Sequence, residues 1–356
     1  MRLSRRSLIA QECRLSRRSL LATLALAAKV SGQSLFRSGS PLLPSLVFHT
    51  TAPAAFNPCW IKTGAVLHWD WGDGNSTDDN CPTHTYSGGA HTVKVTSTDG
   101  FSAVTWVVLD NLHLSGTLAD FSAFTAMTYF EVSGNPNLTS ALPSFAACPL
   151  LTLFQCDNCG FSGTMPSFAA STGLHTFHAD GSHFTGTLPS FAACTGLFYC
   201  YLNQNSFSGT LPSFAACTGL LEFRCNNNGF SGNLPSFNSC PHMVLFDCGQ
   251  CNFSGTLPDF SGCVALQSFQ AWINNFNQVT AGSFATQASM YFCRLAYNAL
   301  VQSAVDQVLA DFVTSLSLPG RVACEVHLEG NTAPSSAGYA NKAILNAVSG
   351  WAVTTD

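Results

Sequence analysis

The sequence predicts a solenoid of stacked repeats that is mainly β, with short helical or irregular returns between its strands. A small β-sandwich is predicted before the solenoid and an α/β cap after it. The repeat anchor recurs at a fixed interval, at Leu138, Phe161, Phe184, Phe207, Phe230, Phe253 and Phe276. Before the repeats, apolar and polar residues alternate as in β-strands. After Asn298 the repeat period ends, and apolar residues follow the spacing of a helix. A fixed period of about 20–50 residues is typical of units that bury their apolar faces only by stacking.

Each repeat contains one predicted strand and one predicted return. Counting from the Phe of Phe-Ser-Gly-Thr-Leu-Pro, as at Phe207, position 17 is usually Phe and position 19 is small or apolar. Spacing by two indicates a strand with positions 17 and 19 inward and positions 16, 18 and 20 outward. The rest of the repeat is interrupted by Gly and Pro, which favours a turn and an irregular or short helical return.

The repeat unit resembles a known family. Its pattern Leu-x-x-Phe-x-Cys-x-x-Asn-x-Phe-x-Gly-x-Leu-Pro is similar to the plant-type leucine-rich repeat, Leu-x-x-Leu-x-Leu-x-x-Asn-x-Leu-x-Gly-x-Ile-Pro, and covers residues 110–299. Phe replaces many Leu, and the unit is one residue shorter than is usual in the family. The resemblance implies that Asn205, Asn228 and Asn274 form a buried ladder bonded to backbone groups of adjacent turns.

Residues 45–109 alternate like strands and resemble the PKD family of Ig-like β-sandwiches. The resemblance is carried by Trp69-Asp-Trp-Gly-Asp-Gly74, then His84-Thr-Tyr86 and a strand starting at His91. It implies a spacer or adhesion module with Trp69 in its core. The acids Asp70, Asp73, Asp78 and Asp79 are interpreted as solvated turn residues, because they lack the spacing of a dedicated calcium loop.

The segment 1–32 holds seven of the 14 basic residues, and an apolar run covers 20–28. This layout is typical of an export signal, and Arg17-Arg18 resembles a twin-arginine motif. We therefore predict an extracytoplasmic protein with a linker at 33–44; a basic tail on a cytoplasmic or virion-associated protein is the alternative. From Gln33 onward there are 7 basic and 18 acidic residues, which argues against nucleic-acid binding. No segment predicts a membrane span.

Most of the 16 cysteines occupy inward repeat positions, where a free Cys behaves as a small apolar residue. We therefore predict neither a disulfide framework nor a zinc site in the array, and no cofactor. Cys59 and Cys81, outside the array, are the best disulfide candidates. Residues 300–356 are predicted to form a modified repeat and C-terminal cap, with helices at 301–315 and 339–348 and strands at 322–328 and 351–354.

The outward strand positions predict a continuous concave face whose side chains vary while the framework hardly changes. Aromatic side chains among amides, acids and single arginines suit contact with a protein or a glycan. The predicted ligand-binding residues are Tyr129, Glu131, Gln155, Asp157, His178, Asp180, Tyr199, Tyr201, Asn203, Glu222, Arg224, Asp247, Gln270, Trp272 and Arg294. The sequence thus favours a monomeric, non-catalytic recognition protein; a merely solvated face is the plainer interpretation.

Two other functions stay open at this stage. A structural surface protein could associate with copies of itself through the array. A metal-dependent hydrolase could use His178 and Asp180, with His175 and His183 in the same repeat. No nucleophile motif, phosphate-binding loop or pair of catalytic carboxylates accompanies these histidines, so we favour a binding surface over catalysis.

Overall fold

The computed structural model describes residues 45–51 and 55–356. The predicted export signal and the linker at 33–44 lie outside the described residues. In chain order the elements are β1 (Ser45–Thr50), β2 (Cys59–Lys62), β3 (His68–Asp70), β4 (Ser76–Asp78), β5 (His91–Thr96), β6 (Val104–Val108), β7 (Leu114–Ser115), β8 (Tyr129–Glu131), β9 (Leu153–Gln155), β10 (Ser162–Thr164), β11 (Thr176–His178), β12 (His183–Gly186), β13 (Tyr199–Tyr201), β14 (Ser206–Gly209), β15 (Glu222–Arg224), β16 (Gly229–Asn233), β17 (Leu245–Asp247), β18 (Asn252–Leu257), β19 (Ser268–Gln270), β20 (Asn275–Val279), β21 (Phe292–Arg294), α1 (Gln302–Ser315), β22 (Glu325–His327), α2 (Ser336–Asn346) and β23 (Ala352–Thr354).

The repeats form one long sheet, as the sequence predicts. Its strand order is β2-β6-β8-β9-β11-β13-β15-β17-β19-β21-β22-β23, and every pairing from β6 onward is parallel. Within the array the register joins like positions of consecutive repeats: Phe177 is opposite Cys200, and Cys200 is opposite Phe223. The period of the sequence therefore sets the register of the sheet directly.

Over residues 110–299 the returns contain no helix and are largely irregular, the second of the two predicted alternatives. Six of them begin with a second parallel strand that the sequence did not predict, and β10-β12-β14-β16-β18-β20 form a six-stranded sheet of their own. The Phe of each Phe-x-Gly segment is buried, and the Gly two residues later has a positive φ, 73° at Gly209 and 74° at Gly232. Glycine reaches this conformation without strain, so the chain can bend inside a strand that the sequence presents as a turn.

Three ladders of stacked phenylalanine rings fill the space between the two sheets. The centroid separations between consecutive coils are 5.6 Å for Phe207 and Phe230, 5.7 Å for Phe214 and Phe237, and 5.7 Å for Phe223 and Phe246. All six rings are fully buried. Like positions of neighbouring coils therefore pack face to face, and each coil buries its apolar side chains only through its two neighbours.

The asparagine ladder implied by the family resemblance is confirmed. Asn228 Nδ2 donates to the carbonyl oxygens of Leu202 at 2.9 Å and Cys225 at 3.0 Å, and Asn228 Oδ1 accepts from Phe207 N at 3.0 Å. Corresponding bonds are made by Asn205 and Asn274 and also by Asn135, Asn298 and Asn331. These amides satisfy backbone groups that the turn leaves inside the coil.

Residues 45–109 contribute strands to two sheets. Strands β4-β3-β5-β1-β7 form an antiparallel sheet, whereas β2 pairs with β6 at the start of the long sheet. Trp69 is fully buried, as predicted. The buried ring of Trp60 contacts Phe48, Trp69 and Phe124, with centroid distances of 5.8, 5.3 and 5.6 Å. The aromatic core of this region is therefore continuous with the core of the first repeat.

After the last regular repeat the chain alternates helices and strands. Helix α1 buries Val305, Leu309 and Phe312 in the same core. Strands β22 and β23 extend the long sheet in parallel, and Asn331 continues the asparagine ladder. The observed helices begin close to the predicted starts, because helical spacing of apolar residues survives where the repeat period ends.

One coil carries a residue that its backbone disfavours. The residue after the outward position 20 has a positive φ in every coil, and Ile273 (φ 49°) is there where the preceding coils have Asn, Gln or Gly and the following coil has Tyr297. A β-branched side chain is strained in this region. We expect Ile273→Gln to raise the free energy of unfolding by about 0.5–1 kcal/mol, since Gln204 and Gln250 occupy the same position. Ile273→Val keeps the β-branched side chain and should give no increase in the free energy of unfolding, as measured by chemical denaturation.

Candidate binding surface

The outward side chains of the long sheet form one continuous surface, called the sheet face below. Each coil contributes one residue to each of three neighbouring rows, at repeat positions 16 and 18 in the strand and at position 20 just beyond its end. The register aligns Tyr199 with Glu222 in the first row and Tyr201 with Arg224 in the second. All fifteen residues predicted from the sequence lie in these rows. Sequence reasoning missed Trp106 in β6, although counting one repeat length back from Tyr129 would have found it.

The middle of the sheet face is a stacked cluster of aromatic and charged side chains. The imidazole of His178 stacks on the ring of Tyr201 with centroids 4.2 Å apart and planes 7° apart. The guanidinium carbon of Arg224, from the next coil, lies 5.0 Å from the centroid of the same Tyr201 ring. Glu222 Oε2 accepts from Tyr201 Oη at 2.6 Å and from Arg224 Nη2 at 3.0 Å. These contacts hold the cluster in one conformation before any ligand arrives.

A second aromatic and cationic cluster lies toward the C-terminal end of the sheet face. The guanidinium of Arg294 lies 4.3 Å from the centroid of the Trp272 indole. The indole lies against Gly249, where a methyl group would collide with Nε1. Burial raises the pKa of Asp247, which lies between the two arginines, while the charges of Arg224 and Arg294 lower it. The absence of a side chain at Gly249 is therefore what allows Trp272 to lie flat here.

Toward the N-terminal end, two carboxyl groups of consecutive coils share a partly buried position. Burial, and then the charge of Asp180, raise the pKa of Asp157 to about 8. The Asp157 side chain is 18% exposed, and its Oδ1 is buried without a hydrogen-bond partner. His178 Nδ1 lies 3.9 Å from Asp157 Oδ2 and accepts a 2.7 Å hydrogen bond from Gln155 Nε2. The raised pKa means that Asp157 keeps its proton near neutral pH.

The remaining predicted residues lie between and beside these clusters. Tyr129 stacks on Trp106 with centroids 4.4 Å apart. Gln270 Nε2 donates to Ser268 Oγ at 3.4 Å, and Glu131 and Asn203 are half-buried in the second and third rows. The surface thus combines large rigid rings, fixed charges and amide groups, a composition that suits recognition of another molecule.

The histidines grouped in the sequence go to different surfaces. His175 is exposed beside the sheet face and stacks on Phe198 at 5.2 Å, whereas His183 begins β12 in the second sheet. Of these histidines, His178 is the one that shares the sheet face with Asp180. Over residues 45–51 and 55–356, no group of three or more His, Cys, Asp or Glu side chains has the geometry of a metal site.

The cysteines divide as their repeat positions suggest. Cys59 and Cys81 are joined in a disulfide, with Cα atoms 4.0 Å apart. The thirteen cysteines from Cys148 to Cys324 are free and buried. Burial raises the pKa of the Cys148 thiol to about 11 and that of the Cys159 thiol to about 12. These thiols are therefore protonated core side chains, and the sulfur of Cys159 donates to Val132 O at 3.1 Å in place of a ladder asparagine.

Three of the four acids near β3 and β4 are bound within their own turns. Asp70 and Asp73 accept from the backbone nitrogens of Gly72 and Asn75, both at 3.0 Å, and Asp79 accepts from Cys81 N at 3.1 Å. Asp78 instead ends β4 and contacts the imidazole of His68, its partner on β3, at 2.6 Å. Each carboxylate therefore has a specific partner within the chain.

Comparison with solved structures identifies the fold. No protein-family model matches the sequence, and a search of curated proteins gives no match. The plant peptide hormone receptor RGFR1, in complex with RGF2, matches at 20% identity and a TM-score of 0.53, over 61% of this chain and 34% of its own. A TDR receptor matches at 22% identity and a TM-score of 0.51, over 65% of this chain and 44% of its own.

This chain thus spans less than half the length of either receptor. Among the described residues no helix has the length and apolar character needed to cross a membrane. The parallel sheet, the asparagine ladder and these structural matches agree, and the fold of the repeats is a leucine-rich repeat solenoid.

Proposed function

We propose that this chain is a non-catalytic recognition protein that binds another protein or a surface glycan through the sheet face. The observation that carries the proposal is the pair of ordered aromatic and cationic clusters around Tyr201 and Trp272. Such side chains supply large contact areas at a small cost in conformational entropy, which is why they dominate binding energy at interfaces. The matched RGFR1 structure is a receptor in complex with RGF2, which supports a polypeptide ligand.

The proposed setting is extracytoplasmic, with the protein acting as a monomer in adhesion or in contact with a host or another surface. The basic leader and the Cys59–Cys81 disulfide support this setting, because disulfides persist mainly in oxidising compartments. In this proposal residues 45–109 act as a PKD-like spacer. The antiparallel β3-β5-β1 pairing and the buried Trp69 support that assignment.

The test compares the full chain with a variant that removes the two clusters. Tyr199, Tyr201, Arg224 and Trp272 are changed together to Ala, and both proteins are used to capture cell-surface proteins and arrayed glycans. We expect the variant to lose at least tenfold in affinity for whatever the wild type captures, since aromatic and Arg anchors each contribute on the order of 2 kcal/mol.

A matched control carries His183→Ala and His242→Ala, two exposed rings outside the sheet face. It should capture the same molecules as the wild type, and circular dichroism should show that all three proteins are folded. If the quadruple variant and the wild type capture the same molecules with equal affinity, the sheet face is not the binding surface. Self-association of the wild type at high concentration, measured by sedimentation, would favour the structural alternative instead.

A further inference from the structure

The N-terminal part of the sheet face is divided lengthwise into an apolar edge and an acidic edge. The first row of β6, β8, β9, β11 and β13 consists of Trp106, Tyr129, Leu153, Thr176 and Tyr199, aligned one to the next by the register. All five side chains are half-buried, so each offers part of its surface to a ligand. With Thr176 as its one aliphatic hydroxyl residue, this row is the more apolar edge of this part of the sheet face.

The opposite edge carries carboxylates. Asp110, Asp157 and Asp180 lie in the third row, and Glu131 lies between the two edges. Backbone bonds from Gly134 N to Asp157 O at 2.8 Å and from Asn158 N to Asp180 O at 2.9 Å hold the third row in register. These five strands have three outward positions each, and none of the fifteen side chains is Lys or Arg. The outward positions of this part of the sheet face therefore include several carboxyl groups and no Lys or Arg.

We propose that this part of the sheet face binds an extended polypeptide segment whose side chains alternate between apolar residues and Lys or Arg. This inference rests on the proposed function and names the partner's chemistry. In an extended segment lying along the solenoid, successive side chains point to opposite sides. The apolar ones then cover the strip from Trp106 to Tyr199, and the cationic ones lie over Asp110, Asp157 and Asp180.

The dimensions set the length of this segment. Five parallel strands spaced about 4.8 Å apart give a strip of about 19 Å, which an extended chain covers with about six residues at about 3.3 Å each. Three apolar and three cationic side chains fit this length. Charge complementarity is favourable because the half-buried carboxyl groups of Asp110, Asp157 and Asp180 lie along one edge, and no Lys or Arg side chain among the outward positions of these coils offsets them.

Binding should release a proton. The groups that face Asp157 are Asp110 from a preceding coil and His178 and Asp180 from the following coil, with the buried thiols of Cys156 and Cys159 beneath. Near neutral pH the Asp157 carboxyl group holds a proton that a bound cation would displace. Affinity for a cationic segment should therefore rise with pH, by about tenfold between pH 7 and pH 9 for one group titrating near 8.

The experiment uses the full chain and a capped octapeptide of alternating Leu and Lys, with binding measured by calorimetry. Alternating Leu–Glu and Ser–Lys octapeptides separate the contributions of charge and apolar contact. We expect the Leu–Lys peptide to bind tightest and its affinity to rise about tenfold from pH 7 to pH 9. Asp157→Asn with Asp180→Asn should lower the affinity at pH 9 at least tenfold and remove the pH dependence.

Glu325→Gln is the matched control, because this exposed carboxylate lies on β22 at the other end of the sheet. It should leave the affinity within twofold of wild type. Equal binding of the Leu–Glu peptide, or no change in the double Asn variant, would overturn the inference. If the octapeptide does not bind while the quadruple Ala variant still loses its captured ligand, the inference fails and the proposed function stands.

Discussion

Asn274→Ala is expected to lower the free energy of unfolding by about 3–5 kcal/mol. Asn274 is 7% exposed, its Nδ2 donates to Cys248 O at 2.9 Å and Ala271 O at 3.3 Å, and its Oδ1 accepts from Phe253 N at 3.0 Å. Alanine supplies none of these bonds, and each buried backbone group left without a partner costs about 1–3 kcal/mol. Chemical denaturation of the two proteins measures the difference.

The chain offers two comparisons for this substitution. Asn275 is the next residue and is exposed, so Asn275→Ala should change stability by less than about 0.5 kcal/mol. Asn274→Cys copies the preceding coil, where Cys251 Sγ donates to Cys225 O at 3.4 Å. The cysteine variant retains one of the hydrogen bonds, so it should lower the free energy of unfolding clearly less than Asn274→Ala does. Equal stability of the Ala variant and wild type would show that the ladder contributes little.

Asp157→Asn is expected to stabilise the fold at high pH. The pKa of Asp157 is raised in the folded chain to about 8 from an ordinary value of 3.8. Between these two values the folded state retains a proton that the unfolded state has lost, so the contribution of Asp157 to stability is present below about pH 4 and declines as pH rises through 8. The amide carries no charge, and the variant should gain on the order of 2–4 kcal/mol at pH 9 relative to pH 4.

Asp120→Asn is the opposite case and serves as the control. Hydrogen bonds from the Ser122 hydroxyl and backbone nitrogen lower the pKa of Asp120. The contribution of Asp120 to stability is therefore fully present above its ordinary pKa and is lost as pH falls through the lowered pKa. Removing this carboxylate should not raise the free energy of unfolding at high pH. Denaturation at pH 4, 7 and 9 separates the two variants. Parallel pH profiles for Asp157→Asn and wild type would show that the carboxyl group titrates normally in the folded chain.

The long sheet and the ladder could be predicted because both depend on one quantity, the period of the repeat. Once a constant interval separates like positions, Asn228 and Asn274 must align, and the outward residues of every strand follow from counting. The same counting applied to Trp106 would have shown that β6 joins the sheet. Because the residues around Trp106 resemble the PKD family, the predicted boundary between the two domains was placed at residue 109. That boundary separates β6 from the sheet to which it belongs.

The second sheet could not be predicted from local pattern. Its strands at Ser-Gly-Thr segments contain glycine at positive φ and end near proline, features that usually indicate turns. They are strands only because a similar segment lies beside them in the next coil, as Gly209 lies beside Phe230. The raised pKa of Asp157 could not be predicted either, because it depends on how deeply this side chain is buried.

The stacked phenylalanine ladders have a consequence for how such a protein can change its length. Because Phe207 and Phe214 meet nearly identical rings on both sides, a duplicated stretch such as 207–229 would find matching neighbours at each end. Recombination between repeats could then lengthen the molecule by about 4.8 Å per unit and add three new outward side chains without redesigning the interior. The same interchangeability would let an engineer combine coils in a new order.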